Sequence, residues 1–117
     1  MDNKNILISV ILPIYNAQRY LKETIESILN QTHENFEFII LNDGSSDNSL
    51  AIIKEFMNKD KRILLVNREN KGLVYTLNEG INQAKGKYIA RMDADDISLA
   101  SRFEEQIELM ENESLDI

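Results

Sequence analysis

The chain has 117 residues, 43% of them hydrophobic, enough for one globular domain that buries roughly two thirds of its unfolded surface. Its formal charge of −7 comes from 20 acids against 13 bases, and six acids follow Arg102, which leaves a nearly neutral body of 14 acids and 13 bases. That balance excludes a nucleic-acid surface, which needs a basic face, and the absence of cysteine excludes disulfide scaffolds and thiolate metal sites and fits a reducing compartment.

Residues 6–14 form an apolar run rich in β-branched side chains and read as a strand. Extended through Tyr15, the run is about half of the roughly 20 residues a membrane span needs. Asp2, Pro13 and the lack of a small-x-small site distinguish it from a secretory leader, so a cytoplasmic protein is expected, in which the sequons at Asn30 and Asn112 carry no glycan. Residues 19–29 place Tyr20, Leu21, Ile25, Ile28 and Leu29 at helical spacing. Residues 36–41 repeat the strand signal, and Leu50, Ile52, Ile53, Phe56 and Met57 form a second helical stripe. Residues 63–66 are a short third strand; Leu73, Leu77, Ile81 and Ala84 mark a third helix with Gly86 as its C-terminal breaker. Residues 88–92 are a fourth strand, and Ser101 with Glu104 suggests a capping box for a last helix through Phe103, Ile107 and Met110.

Strands alternating with helices, three of them continuous apolar runs, specify an α/β fold. The expectation is a Rossmann-like, mostly parallel sheet of about four strands with helices on both faces, joined by right-handed crossovers. No repeat or linker interrupts the pattern. The last helix runs into Glu111-Asn112-Glu113-Ser114 with nothing packed after it, which is expected of the first part of a larger domain.

In an open parallel sheet all strands end at one edge, and ligands bind in the crevice outside those carboxyl ends. That edge collects Pro13-Ile14-Tyr15-Asn16, Asn42-Asp43-Gly44-Ser45-Ser46-Asp47, the segment 67–72 and Asp93-Ala94-Asp95-Asp96. The opposite edge holds residues 31–35 and 59–62. The single histidine, His33, is therefore read as a solvated or capping residue, and Lys59, Lys61 and Arg62 as a solvated helix end.

The acidic turn poses a charge problem. Two carboxylates roughly 5 Å apart repel by about 3 kcal/mol at an effective dielectric of about 20. Arg91 points to the opposite face of its strand from Met92 and is an uncertain counterion; a divalent cation with hard oxygen ligands, Mg²⁺ or Mn²⁺, is the better one. The bland alternative is a solvated loop whose acids favour a following helix N-terminus. An EF-hand fails, because Ile97 and Ser98 stand where a ligand and a glycine are required. The chain's four glycines make neither Gly-x-Gly-x-x-Gly nor a P-loop, so a metal would have to carry any phosphates. Asp43, where the second strand ends, can accept the imide N–H of a uracil, and Tyr15 offers a face for a base to stack on. The competing reading is a helix cap at Ser46 or Asp47 and a packed tyrosine.

Ser9-Val10-Ile11-Leu12-Pro13-Ile14-Tyr15-Asn16, Asn42-Asp43-Gly44-Ser45-Ser46-Asp47, Asn70-Lys71-Gly72 and Gly86-Lys87-Tyr88-Ile89 through Asp93-Ala94-Asp95-Asp96 resemble, in order and spacing, the family 2 glycosyltransferases of the GT-A fold. The resemblance covers essentially the whole chain, 1–117, as the nucleotide-sugar-binding part of such a domain. It implies an inverting, hexosyltransferase-type transfer from a nucleotide diphosphate sugar, usually a UDP-sugar, to a saccharide or lipid-linked acceptor hydroxyl in polysaccharide or glycoconjugate synthesis. By position, Pro13, Tyr15 and Asn16 would line the base pocket and Asp43 would bind the uracil. Lys71 and Gly72 would border the nucleotide, and Asp93 would hold the ribose or help place the metal. Asp95, second acid of the Asp-x-Asp motif, would coordinate Mn²⁺ or Mg²⁺, with Asp96 behind it. Asp93 and Asp95 would assist departure of the leaving group. Ala100 and His33 depart from the family's usual proline and aromatic. The general base is expected beyond residue 117, since Glu108, Glu111 and Glu113 read as a solvated helix face, so these residues alone should bind nucleotide weakly and transfer no sugar. The parent is expected at the inner face of the membrane as a peripheral protein. The alternative is a non-catalytic nucleotide- or metal-binding α/β module; a receiver-like domain lacks its acids after the first strand and its phosphoacceptor after the third.

Overall fold

The computed structural model describes residues 3–112. After a single 3-10 turn at Asn3–Asn5 come β1 (Ile8–Ile14), α1 (Gln18–Leu29), β2 (Phe36–Asp43), α2 (Ser49–Lys59), β3 (Ile63–Arg68), α3 (Leu73–Gln83), β4 (Tyr88–Arg91) and α4 (Arg102–Asn112). The strands pair in the order β3-β2-β1-β4, and each pair is parallel. β1 and β2 are central and apolar on both faces, as a strand covered on both sides must be.

Alternate residues divide the core. Val10, Leu12, Ile14, Phe38 and Ile40 pack with Leu21, Ile25 and Ile28 of α1, Ile53 of α2, and Phe103 and Ile107 of α4. Ile11, Ile39 and Leu41 face the other way, against Leu77 of α3. Each fully buried side chain of this size stabilises the fold by about 1.5–3 kcal/mol relative to exposure. The chain therefore winds β1, β2, β3 in one direction with α1 and α2 on one face, then returns across the other face through α3 to place β4 on the far side of β1. The order reverses between β1 and β4, and the crevice of the fold opens there.

β2 and β3 each extend two residues past their expected ends. Asn42 pairs with Asn67 and Asp43 with Arg68, so the ladder continues after the apolar run has stopped. β1 starts two residues late, because the Ile6 amide closes the turn on the Asn3 carbonyl. Gly86 does not end α3, which stops at Gln83. It is small because a Cβ there would lie 2.6 Å from the Ser9 nitrogen and 2.8 Å from the Leu7 oxygen. The capping box at Ser101 and Glu104 does not form. Glu104 accepts the Thr32 hydroxyl, Ser101 bonds to the Glu105 side chain, and the Phe103 amide is taken by Gln31 Oε1 at 3.1 Å.

The opposite edge also differs from expectation. His33 is buried, and its Nε2 lies 2.8 Å from the Ile6 carbonyl and 3.1 Å from that of Asn35. Two carbonyls can only accept, so Nε2 carries the proton. Arg62 is not a solvated end: its guanidinium stacks over Phe36 at 4.1 Å and donates to Asp60 and to the Glu34 and Leu29 carbonyls. Glu111, expected in solvent, accepts from Lys87 at 2.8 Å and from the Tyr88 hydroxyl, fastening α4 to the start of β4. These contacts hold the Glu111 carboxyl below, and the Lys87 ammonium above, their ordinary values. Glu113 lies outside the described residues. Among the described residues no helix is long and apolar enough to cross a membrane.

Candidate functional site

The predicted site residues Pro13, Tyr15, Asn16, Asp43, Lys71, Gly72, Asp93, Asp95 and Asp96 all lie at or just after the carboxyl ends of the strands. Pro13 is buried in the last turn of β1 and pairs with Leu41. Leu7 and Ile11 turn their carbonyls to β4, where the Lys87 and Met92 amides bind them, and alternation aims the Pro13 nitrogen the same way. The last β1–β4 pair is Ile11 with Arg91, so Pro13 sits where β4 has already parted and no ladder hydrogen bond is lost. Tyr15, just above, is 58% exposed, so its ring is free to stack rather than packed.

Asn16 adopts a left-handed φ of 49° and ties the first two loops together. Its Oδ1 accepts the Ser46 amide at 2.8 Å and the Asp47 amide at 3.3 Å, while its own amide donates to Ser45 Oγ. Asp47 binds the first amides of two of the helices that start at this edge: its carboxylate accepts the Ser49 amide of α2 at 2.9 Å and the Gln18 amide of α1 at 3.2 Å. Burial alone would raise the Asp47 carboxyl, but these donors outweigh it and hold it below the usual aspartate value. Of the two residues expected to cap a helix here, Asp47 binds free helix-start amides and Ser46 instead bonds to Asn16.

Asp43 is the best-connected side chain of the site. It is 5% exposed, and its two oxygens accept Arg68 Nη1 at 2.5 Å, the Lys71 amide at 2.7 Å, the Gly72 amide at 3.1 Å and Asn70 Nδ2 at 3.3 Å. Burial pushes its carboxyl up; the Lys71 amide, the Arg68 guanidinium and the Gly72 amide push it down further, and the result lies below the ordinary aspartate range. Arg68 is held from behind by Glu79 and by Thr76 Oγ1, which itself donates to the Gly72 carbonyl. Gly72, with φ of 90°, starts α3 as a residue with a Cβ would do only under strain. Asp43, Lys71 and Gly72 are thus joined in one network, in which Lys71 keeps its ammonium exposed over the Tyr75 ring at 4.8 Å.

The acidic turn is open to solvent. Asp93 accepts Arg91 Nη2 at 3.3 Å, and its amide donates to Asp96 Oδ2, closing a turn with the Asp96 amide on the Asp93 carbonyl. Arg91 is therefore a partner of Asp93 after all, through a pair whose side chains are 53% and 59% exposed and whose strength is about 0–1 kcal/mol. Arg91 offsets part of the carboxylate repulsion for which the sequence pointed to a divalent cation. The Asp95 carboxylate makes no hydrogen bond or ion pair among the described residues, and the turn is anchored by Thr24 Oγ1 on the Ala94 carbonyl at 2.8 Å. Among the described residues no group of three acid or histidine side chains could cage an ion. The free Asp95 carboxylate, with Asp93 two residues before it, would suit a divalent cation that takes most of its ligands from water and phosphate oxygens.

Sequence reading missed Arg68, Thr76 and Glu79, and gave Asn70 no role of its own within the Asn70-Lys71-Gly72 motif. Their one signal is positional: if the second and third strands run parallel, an arginine closing one and an aspartate closing the other stand side by side. A groove of about 790 Å³ lined by Lys4, His33, Glu104 and Ile107 opens on the opposite edge, away from this chemistry.

The description Glycosyl transferase family 2 matches residues 9–117. The chain belongs to glycosyl transferase family 2. It is 47% identical over 106 residues to an uncharacterized glycosyltransferase of Haemophilus influenzae, covering 90% of this chain and 33% of that protein. It is 49% identical over 109 residues to an uncharacterized glycosyltransferase of Methanocaldococcus jannaschii, covering 91% of this chain and 38% of the relative. The family 2 chain thus spans little more than a third of these curated relatives' length. Its fold matches the crystal structure of S. aureus TarS 1-349 in complex with UDP-GlcNAc with a TM-score of 0.84 and 25% identity, over 92% of this chain and 32% of that one. The alternating parallel architecture expected from the sequence is the GT-A fold of that neighbour.

Proposed function

We propose that these residues form the donor-binding part of a glycosyltransferase that takes a UDP-sugar and delivers the sugar, with inversion, to an acceptor hydroxyl in polysaccharide or glycoconjugate synthesis. One observation carries the reading: the buried Asp43 network and the free Asp95 carboxylate flank the switch point of a fold that TarS uses in complex with UDP-GlcNAc. Asp43 recognises the base, Tyr15 stacks on it, and Lys71 sets a positive charge at the nucleotide's edge. Pro13 and Asn16 shape the floor and wall of the pocket, and Gly72 leaves the backbone open to close approach, with nothing within 4 Å of a Cβ placed there. Asp93 positions the ribose, and Asp95 with Asp93 would hold Mn²⁺ or Mg²⁺. When bound, such an ion neutralises the diphosphate and stabilises the charge that builds on departing UDP.

The general base and the acceptor site belong to sequence outside these residues. The acceptor is a saccharide or a lipid-linked sugar, and the whole protein works in the cytoplasm at the inner face of the membrane. Titration calorimetry tests the reading. UDP is expected to bind with Mn²⁺ present and far more weakly in EDTA, and Asp95→Ala should abolish that difference while leaving the fold intact. A folded protein that gives no heat with UDP, GDP or dTDP in manganese would overturn it.

A further inference from the structure

We infer that the Asn70 side-chain amide is a specificity gate for the nucleobase: it occupies the acceptor position on Asp43 Oδ2 that a base imide N–H would use, and yields it when such a base binds. This rests on the reading of Asp43 as the base-recognising carboxylate.

An ionised carboxylate offers about four good acceptor positions, and Asp43 already fills four. The Lys71 and Gly72 amides, at 2.7 and 3.1 Å, are fixed by the backbone entering α3. Arg68, at 2.5 Å, is pinned by Glu79 and Thr76 and makes a charge-assisted contact. The Asn70 amide is neutral and the most distant of the four, at 3.3 Å. It also donates to the Asp43 main-chain oxygen at 3.0 Å. Asn70 can therefore give up its carboxylate contact and keep a hydrogen bond, while loss of any other donor would break the loop or strand a buried charge.

The position of Asn70 is enforced by Gly44. With φ of 73°, Gly44 lies so near that a Cβ on it would fall 2.5 Å from the Asn70 nitrogen and 3.0 Å from its Cα and Cβ. The loops after β2 and β3 thus meet over Asp43 and leave it 5% exposed. A base with an N–H replaces the contact it displaces. A base methylated at that nitrogen offers nothing in exchange and meets a closed carboxylate.

The test uses UDP and 3-methyl-UDP with MnCl₂, on the wild-type protein and on Asn70→Ala. Wild type should bind UDP about tenfold tighter than 3-methyl-UDP, the worth of one hydrogen bond to a charged group. Asn70→Ala, lacking the competing donor, should bind UDP about threefold tighter still and keep the preference. In wild type the Asn70 side-chain amide signals in a ¹⁵N–¹H spectrum should move on addition of UDP and stay in place on addition of 3-methyl-UDP. Unmoved signals under saturating UDP, or a folded Asn70→Ala that binds UDP no tighter, overturn the gate even where UDP is still preferred. Should Asn70→Ala fail to fold, the wild-type amide signals decide alone. Equal binding of the two nucleotides overturns the role of Asp43 and the gate with it, and no binding of either overturns the proposed function.

Discussion

Removing the Arg68 guanidinium leaves the Asp43 carboxylate buried with its charge uncompensated. The pair is 15% and 6% exposed, so solvent cannot take over the role. Breaking a buried pair by deleting one partner costs about 3–5 kcal/mol. The Lys71 and Gly72 amides remain on the carboxylate, so Arg68→Met should lie near the lower end, about 3 kcal/mol by urea denaturation. The same network sets an acid limit. The folded-state pKa of Asp43 lies below the roughly 3.9 of an unfolded aspartate, so its contribution is fully present above that value and is lost as pH falls through the folded one. Urea midpoints should therefore drop as pH is lowered from about 4, and the drop should be shallower in Asp43→Asn. Asp43 was legible from the sequence as an acid at a strand end. Its partners were not, because Arg68 meets it only through sheet register, and Glu79 meets Arg68 only once α3 folds back over β1 and β2.

At the scale of elements, α3 rests on the central strands through a helical glycine. An alanine Cβ at Gly80 would lie 2.8 Å from Ile11 Cγ2 and 3.2 Å from Leu41 Cδ1. Helix propensity alone favours Gly80→Ala by about 1 kcal/mol, but overpacking costs about 1–3 kcal/mol and the β-branched Ile11 has little freedom to turn aside. The net expectation is a loss of about 1 kcal/mol in urea denaturation; a more stable variant would mean that α3 shifts outward without cost. Element order, and the stripes of α1 and α2, followed from hydrophobic period alone. The strand ends and the α4 cap did not. Polar pairs such as Asn42 with Asn67 prolong a ladder without an apolar signal, and Gln31, 72 residues away from Phe103, replaces a local capping box. Gln31 also donates to the Leu99 carbonyl at 2.7 Å, so it fastens the stretch after the acidic turn to the end of α1.

For the molecule as a whole, the sheet has two unequal margins. β4 is four residues long and pairs only with β1 among the described residues, and Ile89 on it is 47% exposed. An edge strand offers unpaired N–H and C=O groups to a further strand; the shortness of β4 limits this and the exposed Ile89 favours it. Ile89→Lys should lower concentration-dependent self-association in sedimentation velocity while changing folding stability by no more than about 0.5 kcal/mol, as for a surface position. The parallel order, the two-faced core and the gathering of polar loops on one edge were all readable from strand–helix alternation. The charge balance at the acidic turn was not, since the contact of Arg91 with Asp93 depends on how the backbone leaves β4.

Pro13 gives that departure a permanence that sequence periodicity could not express. A residue with an amide hydrogen there would offer β4 one more rung, and the two strands could close up like a zip toward the acidic turn. With that tooth missing, nothing on β1 draws them together beyond Ile11 and Arg91, so under the proposed function the mouth of the cleft is kept open by covalent chemistry before any nucleotide arrives.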